Sequence, residues 1–251
     1  MKRALLTSFA AVLASAALTA QGRGGRGPAG PPPAGKAAAP FDMTGTWVSL
    51  IVDEWRFRVS PQKGDLPYLP LNAAARQIAQ AWDPAKDEAE GNQCKAYGAA
   101  ALMRIPGRLH ITWQDDNTLR IDTDAGLQTR LFHFGATVPK NVEATWQGYS
   151  VAQWEYAAQE GGPRAPRMGD LKVVTTALKP GYLRKNGVPY SANTVVTEYY
   201  DLHPAPNGDT WLVITTEVND PQYLTQPFIT STHFKKQADA SGWTPEPCSA
   251  R

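Results

Sequence analysis

Histidine and cysteine are scarce in this chain: four of one and two of the other in 251 residues. The histidines, His110, His133, His203 and His233, show no His-x-His or His-Glu-x-x-His spacing, so no metal site is expected. The two cysteines, Cys94 and Cys248, are too few for a zinc site of cysteine pairs. No glycine-rich loop leads into a helical stretch, which removes the usual nucleotide cradle, and no cofactor is expected. Ser150, in Gly148-Tyr149-Ser150-Val151-Ala152, misses the Gly-x-Ser-x-Gly pattern by one residue and lacks its strand-turn-helix setting. After the first twenty residues no run is apolar enough to cross a bilayer, so a soluble mature protein is expected.

The first forty residues contain no acid. Lys2 and Arg3 precede an uncharged apolar stretch, Ala4 to Ala17, with small residues at Ala16, Ala17 and Ala20 for cleavage. This reads as a secretory signal peptide over residues 1–20, which places the protein in the periplasm or outside the cell. Residues 21–40 are Gly, Pro and Ala with three positive charges, a composition that cannot bury enough surface to offset its ordering entropy. They read as a disordered spacer before a single domain at 41–251. Without the five basic residues of this leader, twenty basic groups face twenty-three acidic ones, a net of −3. Such a balance gives no footprint for nucleic acid or an anionic membrane surface.

Within the domain the strongest pattern is a period of two. In residues 108–134, Leu109, Ile111 and Trp113 alternate with polar residues, then Leu119, Ile121 and Thr123 do so after a turn at Asp115–Thr118. Successive strand side chains point to opposite faces, so this reads as half-buried antiparallel strands. Further strands are expected at Gly45–Val52, Trp55–Val59, Thr145–Tyr156, Leu171–Ala177, Asn193–Leu202, Thr210–Val218 and Phe228–Lys235, with Asn207-Gly208 supplying a hairpin turn. One helix is expected over Asn72–Trp82, capped by Asn72, with Leu71, Ala75, Ile78 and Trp82 on one face. The expected fold is all-β: an antiparallel meander of about nine or ten strands closing into a barrel, with the helix over one mouth. Two cysteines in an exported chain point to a Cys94–Cys248 disulfide, two unpaired thiols being the alternative.

Two family resemblances follow from short motifs. Gly45-Thr46-Trp47 at the head of a strand series resembles lipocalins and calycins, which implies a barrel holding a small apolar ligand. Trp146-x-Gly148-x-Ser150-x-x-x-Trp154-Glu155, Gly169-Asp170-Leu171, Gly187-x-Pro189-x-Ser191, Thr197-Glu198 and Asp220-Pro221 together resemble a largely uncharacterised group of exported β-rich proteins of Gram-negative bacteria. That second resemblance implies export and a β-rich fold but no chemistry.

Ionisable side chains on otherwise apolar strand faces are the candidates for function, since burying them is costly. Glu198 shares a face with Val196 and Tyr200, Glu217 with Trp211 and Val213, His133 with Leu131, and His233 with Ile229. Eight tryptophans and nine tyrosines supply enough rings to line a cavity. The expected function is binding of a small apolar or amphipathic molecule by Trp113, His133, Tyr200, Trp211 and Glu217 inside the barrel. The alternative is a cofactor-free lyase, isomerase or hydrolase in which Glu198 acts as base and His233 or His110 as acid. A third possibility is an interaction module tethered by the Pro-rich arm to an envelope protein. Arg104, Arg108, Arg120 and Arg130 read as a solvated ladder of cross-strand pairs, or else as a patch recognising an anion.

Overall fold

The computed structural model describes residues 34–51, 55–58, 61–156 and 168–250. The stretch read as a signal peptide, most of the stretch read as a spacer and part of the strand expected at Trp55–Val59 fall outside these residues. Described strands are β1 (Gly45–Leu50), β2 (Arg108–Asp115), β3 (Thr118–Thr123), β4 (Ala125–Gly126), β5 (Thr129–Phe134), β6 (Tyr149–Tyr156), β7 (Gly169–Thr176), β8 (Gly181–Arg184), β9 (Val188–Tyr190), β10 (Val195–Pro204), β11 (Thr210–Asn219), β12 (Phe228–Lys236) and β13 (Glu246–Pro247). Nine of them form a closed barrel in the order β1-β12-β11-β10-β7-β6-β5-β3-β2. Closure leaves no exposed edge to template aggregation.

A ring of nine strands cannot alternate direction all the way round. Eight neighbouring pairs are antiparallel, and the mismatch falls between β5 and β6, which run parallel through Phe132↔Ser150 and Phe134↔Ala152. A parallel neighbour needs a crossover; residues 135–148 supply it. The expected meander is broken at this one place.

The two barrel ends are covered differently. At one end, where β12 starts and β11 finishes, lie the 3₁₀ turns Lys95–Tyr97 and Leu102–Arg104, the β8–β9 hairpin and the helix α2 (Ala73–Ala81). These bury Leu66, Ala75, Ala79, Leu183, Val188 and Tyr190 against Val196, Val218 and Phe228. Asn72 caps α2 as expected, accepting from Ala75 N at 2.9 Å. The buried face is Ala75 and Ala79, however, and Ile78 is exposed. Small alanines let the helix lie close to β9, and a bulky Ile78 would not fit there. Two further short helices, α1 (Trp55–Arg58) and α3 (Pro84–Ala89), lie outside the wall, and α1 replaces the strand expected there.

At the opposite end, residues 34–41 pack on the barrel. Lys36 N donates to Asp116 O at 2.9 Å. Trp154 Nε1 donates to Gly35 O at 2.8 Å and Tyr156 Oη to Ala38 O at 2.6 Å. Phe41 meets the Trp154 ring edge-on. This corrects the spacer reading for residues 34–40, whose main-chain carbonyls are used as acceptors despite the residues' poor composition for a core.

Candidate functional site

Strand phase decides which predicted residues share a space. Along β10, Val196, Glu198 and Tyr200 are all buried and face inward, as expected. Along β5 the inward residues are Arg130, Phe132 and Phe134, so His133 faces out, stacked on Tyr149 at 4.7 Å. Along β11, Leu212, Ile214, Thr216 and Val218 face in, putting Trp211 and Glu217 outside, where Glu217 accepts from Asn219 Nδ2 at 2.6 Å. Along β12, Thr230, Thr232 and Phe234 face in and His233 out. His110 is exposed on β2, its ring 6.2 Å from that of Trp243. Trp113 is half-buried near the end covered by residues 34–41, against Phe134. The wall therefore separates Glu198 from both His233 and His110, and Tyr200 from His133, Trp211 and Glu217.

Inside the barrel the axis is filled. Trp47, Ile111, Ile121, Phe132, Leu171, Tyr200, Ile214 and Phe234 are all at most 1 % exposed. Eight or so strands enclose a space that side chains can fill, and here they do. Across this interior Arg130 reaches Glu198 over β6 and β7, donating through Nη1 to Oε1 at 2.7 Å and through Nη2 to Oε2 at 2.6 Å. Nη2 also meets Thr175 Oγ1 at 3.1 Å, Thr175 is hydrogen-bonded to Ser150, and Tyr200 Oη donates to Glu198 Oε1 at 3.3 Å. Burial by itself would depress the Arg130 pKa, but the Glu198 carboxylate and Tyr200 outweigh it and raise the pKa above the usual arginine value. Burial, reinforced by Glu198, pushes Tyr200 well above the usual tyrosine value. With both carboxylate oxygens engaged, Glu198 is a structural ion. Arg130 correspondingly leaves the solvated ladder, and Arg104 is buried too. Arg120 stays on the outer face but pairs along its own strand, bonded to Asp122 at 2.7 Å, its cross-strand contact being Thr129 Oγ1 of β5 at 3.3 Å.

Space opens instead at the end covered by the β8–β9 hairpin. A cavity of about 270 Å³ lies between α1, the 3₁₀ turns, β8 and the C-terminal β13. Phe57, Tyr97, Ile105 and Leu183 give it apolar walls, and Arg58, Arg104, Arg184, Lys185 and Glu246 bring charge. None of the residues predicted to bind a ligand lines it.

Each arginine is held by main-chain oxygens. Arg58 Nη1 donates to Leu50 O at 2.6 Å, and Arg104 Nη2 to Leu183 O at 2.9 Å. Arg184 donates to Asp65 O at 3.1 Å and Arg56 O at 2.7 Å, with the Asp65 carboxylate 3.6 Å away. Burial lowers the Arg184 pKa, as does Arg56, with Asp65 opposing. The Cys94–Cys248 disulfide, present as expected, ties the C-terminal segment to the turn that carries Tyr97. Glu246 and Pro247 then pair in parallel with Ala125 and Gly126 of β4 along the cavity edge.

The sequence pattern singled out only Arg104 from this set, and as one rung of a ladder. The visible signals for the others were the spaced pair Arg56-x-Arg58 and the adjacent Arg184-Lys185 just before a Gly turn. A wider groove of about 640 Å³ at the opposite end is open to solvent, bordered by Lys36, Phe41 and Trp113. It lacks the buried polar side chains of the smaller cavity.

Fold and cavity define a nine-stranded closed barrel with a filled centre and a basic chamber at one mouth. Compared with family models, curated proteins and solved structures, the chain matches none. Among the described residues no helix is long and apolar enough to cross a membrane, and no group of three or more His, Cys, Asp and Glu side chains is placed to hold a metal ion.

Proposed function

We propose that this is an exported binding protein that takes one small amphipathic molecule in the chamber at the barrel mouth, not in the barrel itself. The observation that carries the reading is the chamber: a concave space in which apolar side chains such as Phe57, Ile105 and Leu183 alternate with buried polar ones. Its volume, below the roughly 300–1,000 Å³ of pockets for drug-sized ligands, suits a compact body. Export is supported by the charged and apolar leader together with the disulfide.

Motif residues singled out in the sequence serve the fold and carry no chemistry of their own in this reading. Asp220 accepts from Ser191 Oγ at 3.0 Å and Thr194 Oγ1 at 2.9 Å, which pins the loop after β9. A side chain on Gly187 would strike Trp82. Acid–base catalysis has no comparable support, with Glu198 matched by Arg130 and both proposed histidines beyond the wall.

Isothermal titration with octanol, octanoate and octylamine tests the reading. Saturable binding of at least one at a stoichiometry near one is expected, and no binding by any of the three overturns it.

A further inference from the structure

At the barrel end opposite the chamber, residues 34–41 are seated as a bound peptide would be, through the main chain. Trp154 Nε1 donates to Gly35 O at 2.8 Å, Tyr156 Oη donates to Ala38 O at 2.6 Å, and Lys36 N donates to Asp116 O at 2.9 Å. Gly35 to Ala38 form one 3₁₀ turn, in which Gly35 is buried while Lys36 and Ala37 are exposed. Gly35 has φ +59°, and a side chain on it would strike Asp116 O and Asn117. Six residues on, Phe41 meets Trp154 edge-on with ring centres 5.4 Å apart. Trp154 stacks in turn on Phe134 at 5.4 Å, and Phe134 packs on Trp113 at 5.5 Å, so Phe41 completes an aromatic seat. Lys36, Ala39 and Phe41 border the open groove of about 640 Å³, which leaves one flank of the segment reachable from solvent.

A segment that belongs to a core is ordinarily held by large apolar side chains, but Lys36 to Ala39 offer little beyond methyl groups. Three neutral hydrogen bonds and one ring make a weak seat, which can open locally while the barrel stays folded. Its selectivity lies in a glycine and a distant ring, not in the side chains between them. We infer that this rim is a peptide-binding site, filled here by the chain's own residues 34–41 as a built-in competitor. The partner it fits is a protein segment of the same chemistry: a glycine opening a turn of small residues, with an aromatic residue six positions on. A tethered segment acts at an effective concentration of about millimolar, so the site is closed to partners until the strap lifts. The inference concerns the other end of the barrel and does not rest on the chamber.

The probe is a synthetic peptide of residues 34–42, Ala-Gly-Lys-Ala-Ala-Ala-Pro-Phe-Asp, and the readout is the Trp154 indole N–H signal in nuclear magnetic resonance. In the full chain, Gly35→Val should unseat the strap and shift this signal. Added peptide should then return the signal toward its wild-type position, saturating at one peptide per chain. Such a recovery cannot come from a misfolded barrel, and circular dichroism checks the fold separately. The wild-type chain, with its own strap in place, should bind the peptide at least about tenfold more weakly than the variant does. The peptide carrying Gly35→Val should not restore the signal, and the peptide carrying Phe41→Ala should bind more weakly. If the Gly35→Val chain keeps the wild-type signal, or the peptide fails to saturate it, the inference is overturned. Equal binding of the two chains, or of the Gly35→Val peptide and its parent, overturns it as well.

Discussion

Glu198 and Arg130 illustrate how a residue that looks catalytic in sequence becomes structural in space. A carboxylate in an apolar strand face needs a partner, and Arg130 supplies it with two hydrogen bonds at zero exposure of both side chains. Breaking such a pair from one side strands a charge, at a cost of about 3–5 kcal/mol. Glu198→Gln is therefore expected to lower the urea midpoint sharply, whereas the double replacement Glu198→Met with Arg130→Met should recover most of the loss. A second residue-scale effect depends on pH. Asp201 lies beside Asp170 on neighbouring strands, and burial followed by that neighbour pushes its pKa up to about 7. A carboxyl whose pKa rises on folding binds its proton more tightly in the folded state. Its stabilisation is complete below the ordinary value near 3.8 and is lost as pH climbs through about 7. Asp201→Asn should therefore raise stability at pH 8 and change little at pH 4. The gain is about 1 kcal/mol at most, because the side chain is half-buried and solvent screens it. Urea titrations at the two pH values check the sign.

At the scale of elements, strand existence was legible and strand phase often was not. β2 and β3 carry polar residues on one face and apolar ones on the other, so Leu109, Ile111, Leu119 and Ile121 were placed inward correctly. In β5, β11 and β12 both faces are apolar: Leu131 competes with Phe132, Val213 with Ile214, Ile229 with Phe228. A shift of one residue turns every side chain over. That ambiguity moved His133, Trp211, Glu217 and His233 to the wrong face and hid Arg130. The β8–β9 hairpin was missed because its strands are very short, although Gly187 marked its turn. Gly187 has φ +79°, and Trp82 lies where a side chain would go. Gly187→Ala should cost at least about 1 kcal/mol by urea unfolding and loosen the end of α2. The disulfide spans 154 residues of separation. In the chain-entropy model such a closure is worth up to roughly 5 kcal/mol. Reduction should lower the melting temperature and free the segment carrying Glu246, and the Cys94→Ser, Cys248→Ser double variant should behave the same way in calorimetry.

On the scale of the whole molecule, the barrel class could be read from alternating strands, but the place of the site could not. A ring of nine strands encloses little more than its own side chains need, so rings that promise a cavity in sequence become core in space: Phe132 and Tyr200 pack edge to face at 5.4 Å. The chamber is assembled from α1, the 3₁₀ turns, β8 and the C-terminus, segments far apart in the chain and joined by a disulfide. No local pattern announces such a meeting. Its cations stay near main-chain oxygens that sequence does not display. Titrating the tightest-binding of octanol, octanoate and octylamine into isotope-labelled protein, with side-chain signals of both regions followed by nuclear magnetic resonance, tests the central claim most directly. Signals of Phe57, Tyr97 and Leu183 should shift to saturation while those of Phe132, Tyr200 and Ile214 stay in place; the reverse pattern would contradict the account.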